Sequence, residues 1–262
     1  DKITEDSAKE FVDRMIKSKH GAMLEHGTVY LKITYPLSNT LSKEEFEKYY
    51  DEHRLEYLLG NALWDDKYTK TRHVDDDAHK TIYITTNLRV LCSDRYKFLP
   101  WHDFVVEPTE HHIKRITAKF TCDRGVSHEI VRHRVMSFAQ ESTRYCNYSK
   151  DKFGNELTFI KPSWYSKTLE NKHGGFERFL EDSESLYISL LDQGYFPQEA
   201  RACLPNALKT EIVVTGFESD WEHFFSLRSP KYGAQGVHPD IAKLADELYE
   251  KLNNVNTDNK TE

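Results

Sequence analysis

One stretch of the chain, Arg132-His133-Arg134-Val135-Met136-Ser137-Phe138-Ala139-Gln140-Glu141-Ser142-Thr143-Arg144, gathers three arginines, a histidine and several hydroxyl groups. Packing of a core requires none of these polar side chains. Arginine presents a planar fork of donors that matches phosphate oxygens, and serine hydroxyls complete such a cradle. A basic helix end with a serine cap can produce part of this pattern, so the anion site that it predicts needs corroboration from other motifs.

Length and charge limit the class of protein. The 262 residues are enough to bury a substantial core, and we favour a single domain. The formal net charge is -7, whereas a general nucleic-acid binder needs a basic surface that neutralises phosphates. We therefore expect no nucleic-acid partner, and the clustered arginines indicate a small anionic ligand.

Cysteine spacing and hydropathy indicate the compartment. The four cysteines show no CxxC spacing, so neither a zinc site nor a disulfide framework is indicated. No apolar run approaches the ~20 residues that span a bilayer, and no signal peptide opens the chain. We expect a soluble cytoplasmic protein with no metal site and no membrane partner. Because residue 1 is Asp rather than Met, we also expect further residues before it.

Capping residues, glycines and prolines predict where the helices begin and end. We expect a helix from residue 124 to about 138 and a long helix from Phe176 that Gly194 ends. Proline predicts two further helix starts, at Pro197 and Pro239, and Gly60 predicts a helix end. Three capping boxes predict other starts: Ser7 with Glu10, Ser42 with Glu45, and Ser219 with Glu222.

Alternation and β-branched residues predict the strands, at residues 28–34, 81–91 and 113–120. The charged residues 65–80 predict a solvated loop, and residues 253–262 a polar, disordered tail. Strands gathered early and helices late predict an α+β fold, with an antiparallel or mixed central sheet flanked by helices.

Three more motifs accompany the arginine-rich stretch, and together the four span nearly the whole chain. The others are His20-Gly21-Ala22-Met23-Leu24-Glu25-His26, Pro197-Gln198-Glu199-Ala200-Arg201-Ala202-Cys203-Leu204-Pro205, and Trp221-Glu222-His223-Phe224-Phe225-Ser226-Leu227-Arg228 followed by Ala234-Gln235.

In type and order these motifs resemble those of the flavin-dependent thymidylate synthases. The pattern Arg-His-Arg, seven residues, then Ser is the signature, and Arg132, His133, Arg134 and Ser142 fill it. The resemblance implies that family's fold, a single catalytic domain over residues 1–252, and an insertion at about 35–112. It also implies a homotetramer whose sites combine several subunits.

The activity that the resemblance implies is synthesis of dTMP from dUMP. Methylenetetrahydrofolate gives the methylene group, and reduced FAD, regenerated by NADPH, gives a hydride. The side chains of the protein would then position the substrates and polarise the uracil, while the flavin supplies the redox chemistry. None of the cysteines lies in the Pro-Cys-His setting of the other thymidylate synthases, which is compatible with this route.

The resemblance also assigns roles to individual residues. Arg228 is the catalytic candidate, because its charge would polarise uracil and stabilise the negative charge that develops in the ring. The FAD candidates are His20, Glu25, Arg132, His133, Arg134, Gln140 and His223. The dUMP candidates are Glu129, Arg132, Ser142, Thr143, Arg144, Arg201 and Arg228, with Ser142, Arg144 and Arg201 on the phosphate.

Four positions depart from the family pattern. Lys19 stands where glycine is usual, and Ala22 where Ser or Thr is usual. Gln140 stands where a flavin-contacting glutamate is usual, and Glu129 where several members have glutamine. A carboxylate repels a phosphate, so Glu129 is expected either to meet the ribose or to point away.

Two other function classes stay open. His102-Asp103 is an HD pair of the kind found in metal-dependent nucleotide phosphohydrolases, and the 13 histidines of the chain offer further ligands. A non-catalytic homologue that binds nucleotide or flavin is the second alternative, because Ala22, Glu129 and Gln140 all alter family contacts.

Overall fold

Alternating apolar residues form the first strand of the computed structural model, Thr28–Pro36 (β1). Its inward residues Leu31 and Ile33 are fully buried, as the period of two predicts. β1 pairs antiparallel with His79–Asn87 (β3), and β3 pairs antiparallel with Lys70–Asp75 (β2), in the order β1-β3-β2.

The structure describes residues 4, 6–37, 40–150, 156–165 and 175–258. The chain divides into two compact units. The first comprises Asp1–Thr117, Val135–Ser137 and Thr215–Asp220, and the second comprises Ala118–Arg134, Phe138–Val214 and Trp221–Glu262. The predictions of a single catalytic domain and of an insertion at 35–112 stay predictions.

The first unit packs helices on the β1-β3-β2 sheet. Its core joins Leu31 and Ile33 of β1 to Leu59 and Leu63, which lie on one face of the helix Arg54–Trp64. The other helices described in this unit are Ser7–Lys17, Gly21–Leu24, Lys43–Glu52 and Leu88–Leu91, with a 3-10 turn at Trp101–Phe104.

A second three-stranded sheet has the order β4-β6-β5, with Arg115–Asp123 (β4), Lys209–Phe217 (β6) and Ser137–Gln140 (β5). The chain passes from one unit to the other within β4 and within β6. The helices of the second unit include Arg124–Ile130, Phe176–Asp192, Pro197–Ala200 and Pro239–Asp258, and Glu218–Arg228 lies in it from Trp221 onwards.

The sheets and helices confirm the α+β prediction. Gly194, at φ +92°, follows the helix Phe176–Asp192, and Pro197 and Pro239 begin helices as predicted. In the described part of the chain, no helix combines the length and apolar character needed to cross a membrane.

The predicted loop at residues 65–80 is wrong, because this segment contains β2 and the start of β3. Asp76 makes the turn between the strands, since its carboxylate accepts hydrogen bonds from the backbone N–H of Ala78 and His79 at 2.8 and 2.7 Å. β2 is an edge strand, and exposed edges tolerate and often carry charged side chains. The many charged residues of this segment therefore led to a wrong prediction of a loop.

Several predicted helix and strand ends are also wrong. The helix from residue 124 ends at Ile130, because the chain then turns and residues 137–140 pair as β5 instead. The strand at 81–91 ends at Asn87, whose side chain accepts from the Val90 N–H and caps a short helix. The final helix runs to Asp258, through the start of the predicted tail, and residues 259–262 lie outside the described range.

Of the three capping boxes, only Ser42 with Glu45 is confirmed, with both reciprocal hydrogen bonds. Ser7 instead lies inside the first helical turn, where its hydroxyl donates to the Thr4 carbonyl at 2.8 Å. Ser219 likewise falls within the helix Glu218–Arg228, and the Asp220 carboxylate accepts from the Phe217 N–H at 2.8 Å. Asp220 thus makes, earlier in the chain, the carboxylate contact that the predicted box assigned to Glu222.

Candidate active site

The helix Glu218–Arg228 carries a buried aromatic stripe that directs its last arginine. Trp221, Phe224 and Phe225 are buried, three and four positions apart on one face. Arg228 continues this face by one turn, and its side chain is 19% exposed. A guanidinium in such a place needs partners, because burying an unpaired charge is costly.

Arg228 finds two partners in the second unit. Its Nη1 forms an ion pair with Glu129 Oε2, and its Nε donates to His133 Nε2 at 3.2 Å. Glu129 lies in the helix Arg124–Ile130, and His133 lies in the turn that follows. Side chains from the Arg-His-Arg motif and from the last motif, 95 positions apart, therefore meet.

The His133 ring is held neutral. It is 5% exposed, packs edge-on against Phe224 at 4.8 Å between ring centroids, and has the His223 ring at 6.2 Å. Burial, followed by the charge of Arg228 and the proximity of His223, lowers the pKa of His133 to about 4. Because Nε2 accepts from Arg228, the ring proton of the neutral form belongs on Nδ1.

Two other predicted residues, Arg201 and Thr143, line a cleft in the same unit, which we call the cleft at Arg201. Arg201, in a 3-10 turn after the helix Pro197–Ala200, donates from Nη1 to Thr143 Oγ1 at 3.3 Å. Thr143 is buried, so its hydroxyl fixes one edge of an otherwise exposed guanidinium. Ser142, next to it, accepts from the Arg144 N–H at 3.3 Å and is half-buried.

Gln140 is engaged inside the second unit. Its side-chain amide donates to Ser127 Oγ at 2.8 Å and to Thr210 Oγ1 at 3.3 Å. Ser127 and Thr210 are both buried, so they hold the amide group in place. A flavin contact through Gln140 would therefore use its carbonyl oxygen and stays a prediction.

The remaining predicted residues of this unit are exposed. Arg132 and Arg134 flank the buried His133, and neither forms an ion pair with the described part of the chain. Arg144 lies over the Tyr145 ring at 5.3 Å, and His223 is exposed on the helix that ends in Arg228.

His20 and Glu25 belong to the first unit. His20 is exposed and precedes the short helix Gly21–Leu24. The Glu25 carboxylate, 24% exposed, pairs with Arg89, and the Glu25 carbonyl accepts from Arg115 at 3.0 Å. Lys19, which stands where the related pattern has glycine, adopts a φ of +57°. Glycine favours that conformation, so the departure carries a backbone strain.

Comparison with known proteins decides the family. The model of the family described as thymidylate synthase complementing protein matches residues 102–256 of this chain. The chain belongs to this family.

Curated relatives of the chain are flavin-dependent thymidylate synthases. The enzyme of Pyrococcus furiosus is 35% identical over 127 residues, which cover 48% of this chain and 51% of the relative. That of Geobacter sulfurreducens is 37% identical over 105 residues, covering 40% and 43%. The chain thus spans about half the length of the curated relatives that it matches.

A solved structure, the UMP/dUMP methylase PolB from Streptomyces cacaoi bound with 5-Br dUMP, matches at a TM-score of 0.42 with 22% identity. The match covers 53% of this chain and 66% of that one. A score this low carries no conclusion about the site.

Three of the four motifs lie within the stretch that the thymidylate synthase complementing family model matches, and the His20 motif lies before it. His102 and Asp103, the HD pair, are exposed in a 3-10 turn. Across the described residues, no group of three or more His, Cys, Asp or Glu side chains is arranged to hold a metal ion. The geometry thus offers the phosphohydrolase alternative no support.

Two residues of the cleft at Arg201 were missed by the sequence analysis. Arg124 and His128 lie one helical turn apart and line the same cleft as Thr143 and Arg201. Neither belongs to the four motifs described above. A signal was available, since a predicted helix with Arg and His four positions apart, just before an arginine-rich motif, extends its basic face.

Proposed function

We propose that this chain is a FAD-dependent thymidylate synthase, a methyltransferase that makes dTMP from dUMP with methylenetetrahydrofolate while NADPH is oxidised. The observation that carries the proposal is the contact of Arg228 with Glu129 and His133. Arg228 and His133 come from separate family motifs, and Glu129 lies in the helix just before the Arg-His-Arg motif. No core-packing requirement brings three polar groups together at this point.

Arg228 is the residue to which we assign electrostatic catalysis. The buried face of its helix fixes its position, and His133 fixes its Nε edge by accepting one hydrogen bond. A guanidinium fixed in this way needs no reorganisation when negative charge develops on a pyrimidine ring beside it. Because Glu129 balances its charge before substrate arrives, we assign Glu129 the role of holding Arg228 until dUMP binds.

The donor set fits a dinucleotide cofactor such as FAD. Arg132 and Arg134 are exposed and form no ion pair within the described residues, which leaves two guanidinium forks for pyrophosphate oxygens. His223 is exposed beside His133, and we assign both, with Gln140, His20 and Glu25, to FAD. When bound, FAD would supply the hydride that completes the methyl group, and NADPH would reduce it again.

For dUMP we assign Ser142, Thr143, Arg144 and Arg201 to the phosphate end, and Arg132 and Glu129 to other contacts with the nucleotide. The hydrogen bond from Arg201 to Thr143 supports this grouping. We further propose a homotetramer in which residues of different subunits complete each site.

The proposal is tested with purified wild-type protein. We expect bound or added FAD to give absorbance near about 375 and 450 nm, as expected of an oxidised flavin. We also expect dTMP formation to require dUMP, methylenetetrahydrofolate and NADPH together. A protein that binds no FAD, or one that binds it and makes no dTMP, contradicts the proposal.

The role of Arg228 is tested by Arg228→Lys, which keeps the charge and loses the planar fork and the Nε donor to His133. We expect FAD to be retained and turnover at saturating dUMP to fall about 30- to 1000-fold. Arg178→Lys is the matched control, because Arg178 is an exposed arginine paired only with Asp182 on its own helix in the described structure. Normal turnover in Arg228→Lys would make Arg228 a binding residue.

One observation favours a second candidate, a homologue that binds nucleotide or flavin without turnover. Gln140 uses its amide group on Ser127 and Thr210, and Ala22 lacks the hydroxyl usual at its position. Binding of FAD and dUMP without dUMP-dependent oxidation of NADPH would identify this case.

A further inference from the structure

The cleft at Arg201 has an unusually one-sided charge. Its described lining residues include two arginines and a histidine, Arg124, Arg201 and His128, and no Asp or Glu. Thr143, Gln198 and Asn206 add a hydroxyl and two amides. Such a lining attracts an anion, because clustered positive groups without a carboxylate stay unbalanced until one binds.

Arg124 is the residue that most needs a ligand. Its Nη1 is buried, and in the described structure it has no hydrogen-bond partner. The nearest carboxylate along the chain, Asp123, accepts from the Val126 N–H at 2.7 Å to cap the helix. A buried guanidinium nitrogen without a partner costs free energy, and an anion oxygen in the cleft would supply the missing acceptor.

His128 lies on the same face of the helix as Arg124, four positions later. Its ring is exposed, and in either protonation state it has an N–H to donate. Arg201, held by Thr143, lines the same cleft from a separate segment of the chain. Three donor side chains can each meet one of the three terminal oxygens of a phosphate group, whereas a planar carboxylate offers only two oxygens.

We infer that Arg124 and His128 bind the 5′-phosphate of the nucleotide together with Arg201. The identity of that nucleotide as dUMP rests on the proposed function. The phosphate-binding chemistry of the cleft does not, so the two can fail separately.

The test measures binding by calorimetry on the FAD-loaded protein, with dUMP, deoxyuridine and inorganic phosphate as probes. We expect Arg124→Gln to weaken dUMP binding about 10- to 100-fold, the scale of a lost charge-assisted hydrogen bond. His128→Gln should weaken it about 3- to 10-fold. Deoxyuridine lacks the phosphate, so its affinity should change less than about 3-fold in either variant.

Arg178→Gln is the matched control, because it removes an exposed arginine of the same unit that does not line the cleft. Arg124→Lys should recover part of the dUMP affinity, since it restores the charge without the fork. If Arg124→Gln does not fold, exposed His128 carries the test, and unchanged affinity of His128→Gln for dUMP and phosphate overturns the inference.

The outcomes separate the inference from the proposed function. If the wild type makes dTMP while Arg124→Gln and His128→Gln bind dUMP normally, the inference is wrong and the function stands. If the wild type makes no dTMP but binds inorganic phosphate in an Arg124-dependent way, the cleft assignment stands and the function is wrong. Unchanged binding with a smaller oligomer in Arg124→Gln would assign Arg124 to a contact between copies, which also overturns the inference.

Discussion

At the scale of single residues, Arg228 and His133 constrain each other. The guanidinium disfavours a proton on the adjacent ring, and the neutral ring accepts the hydrogen bond that orients the guanidinium. Motif spacing predicted that both residues belong to a site. Their direct contact could not be predicted, because it depends on how the helix Glu218–Arg228 packs on the turn after Ile130.

Arg124 and His128 show what motif matching leaves out. The sequence predicts helix around them, but not that the segment after Pro197 brings Arg201 to the same cleft. The pairing of Glu129 with Arg228 was missed for the same reason, although repulsion between a carboxylate and a phosphate gave one ground for Glu129 to point away.

The lowered pKa of His133 predicts a pH-dependent stability. The unfolded histidine binds a proton near its ordinary pKa of about 6.5, whereas the folded one does so only near 4. The stabilisation is therefore complete above about pH 6.5 and is lost as the pH falls towards 4. Between pH 7 and pH 5, we expect wild type to lose roughly 1–2 kcal/mol more stability than His133→Gln does.

Urea unfolding of both proteins at the two pH values measures this difference. The other titrating groups are common to the two proteins, so their contributions to the loss of stability cancel when the two losses are compared. Equal losses would mean that His133 is already protonated in the folded protein at pH 5.

At the scale of elements, the longer helices and three of the six described strands, β1, β3 and β4, could be predicted, and their ends often could not. Period and propensity placed β1, β3 and the helix from Phe176, where side chains repeat with one face buried. β2 was missed because its charged residues are those that an edge strand carries. The ends of helices and strands depend on contacts with the rest of the fold. The predicted last residues of the helix from Arg124, for example, instead form β5, which pairs with β6.

Gly60 is the clearest such case. The sequence predicts that it ends a helix, but it lies buried inside the helix Arg54–Trp64. A Cβ there would lie 2.6 Å from the Tyr35 hydroxyl, which donates to the Glu56 carbonyl at 3.0 Å. Glycine is needed at position 60 because β1 approaches the helix closely there, and not because the helix ends.

We therefore expect Gly60→Ala to destabilise the protein by roughly 1–3 kcal/mol, even though alanine is the better helix former. Tyr35→Phe removes the clashing oxygen, so the same alanine should cost less in that background. The free energies of unfolding of the four proteins in this cycle measure the coupling. A stabilising Gly60→Ala would show that the Tyr35 ring moves freely.

At the scale of the whole molecule, the family match covers the C-terminal part of the chain, and several candidate residues lie outside it. Arg228, Arg201 and the Arg-His-Arg motif fall within residues 102–256, whereas His20 and Glu25 precede them. The described contacts bring the first set into one unit and leave His20 and Glu25 in the other. Under the proposed function, the Arg-His-Arg motif of the first set serves the same flavin as His20 and Glu25 of the second.

A mixing experiment tests whether different subunits supply them. We expect His20→Ala/Glu25→Gln and Arg228→Lys proteins to be nearly inactive alone, because each lacks one part of the proposed site. If every site takes its first part from one subunit and its second from another, random 1:1 co-assembly leaves about one quarter of the sites intact. Turnover should then recover to about one quarter of the wild-type value per site.

Co-expression with two different affinity tags isolates the mixed oligomers, and mixing each variant with wild type calibrates the scale. If one chain supplied the whole site, every mixed oligomer would contain only defective sites, and activity would stay at the level of the two parents. Recovery therefore requires residues of different subunits at one site. Its absence in verified mixed oligomers would contradict the proposed sharing while leaving the chemistry assigned to Arg228 untouched.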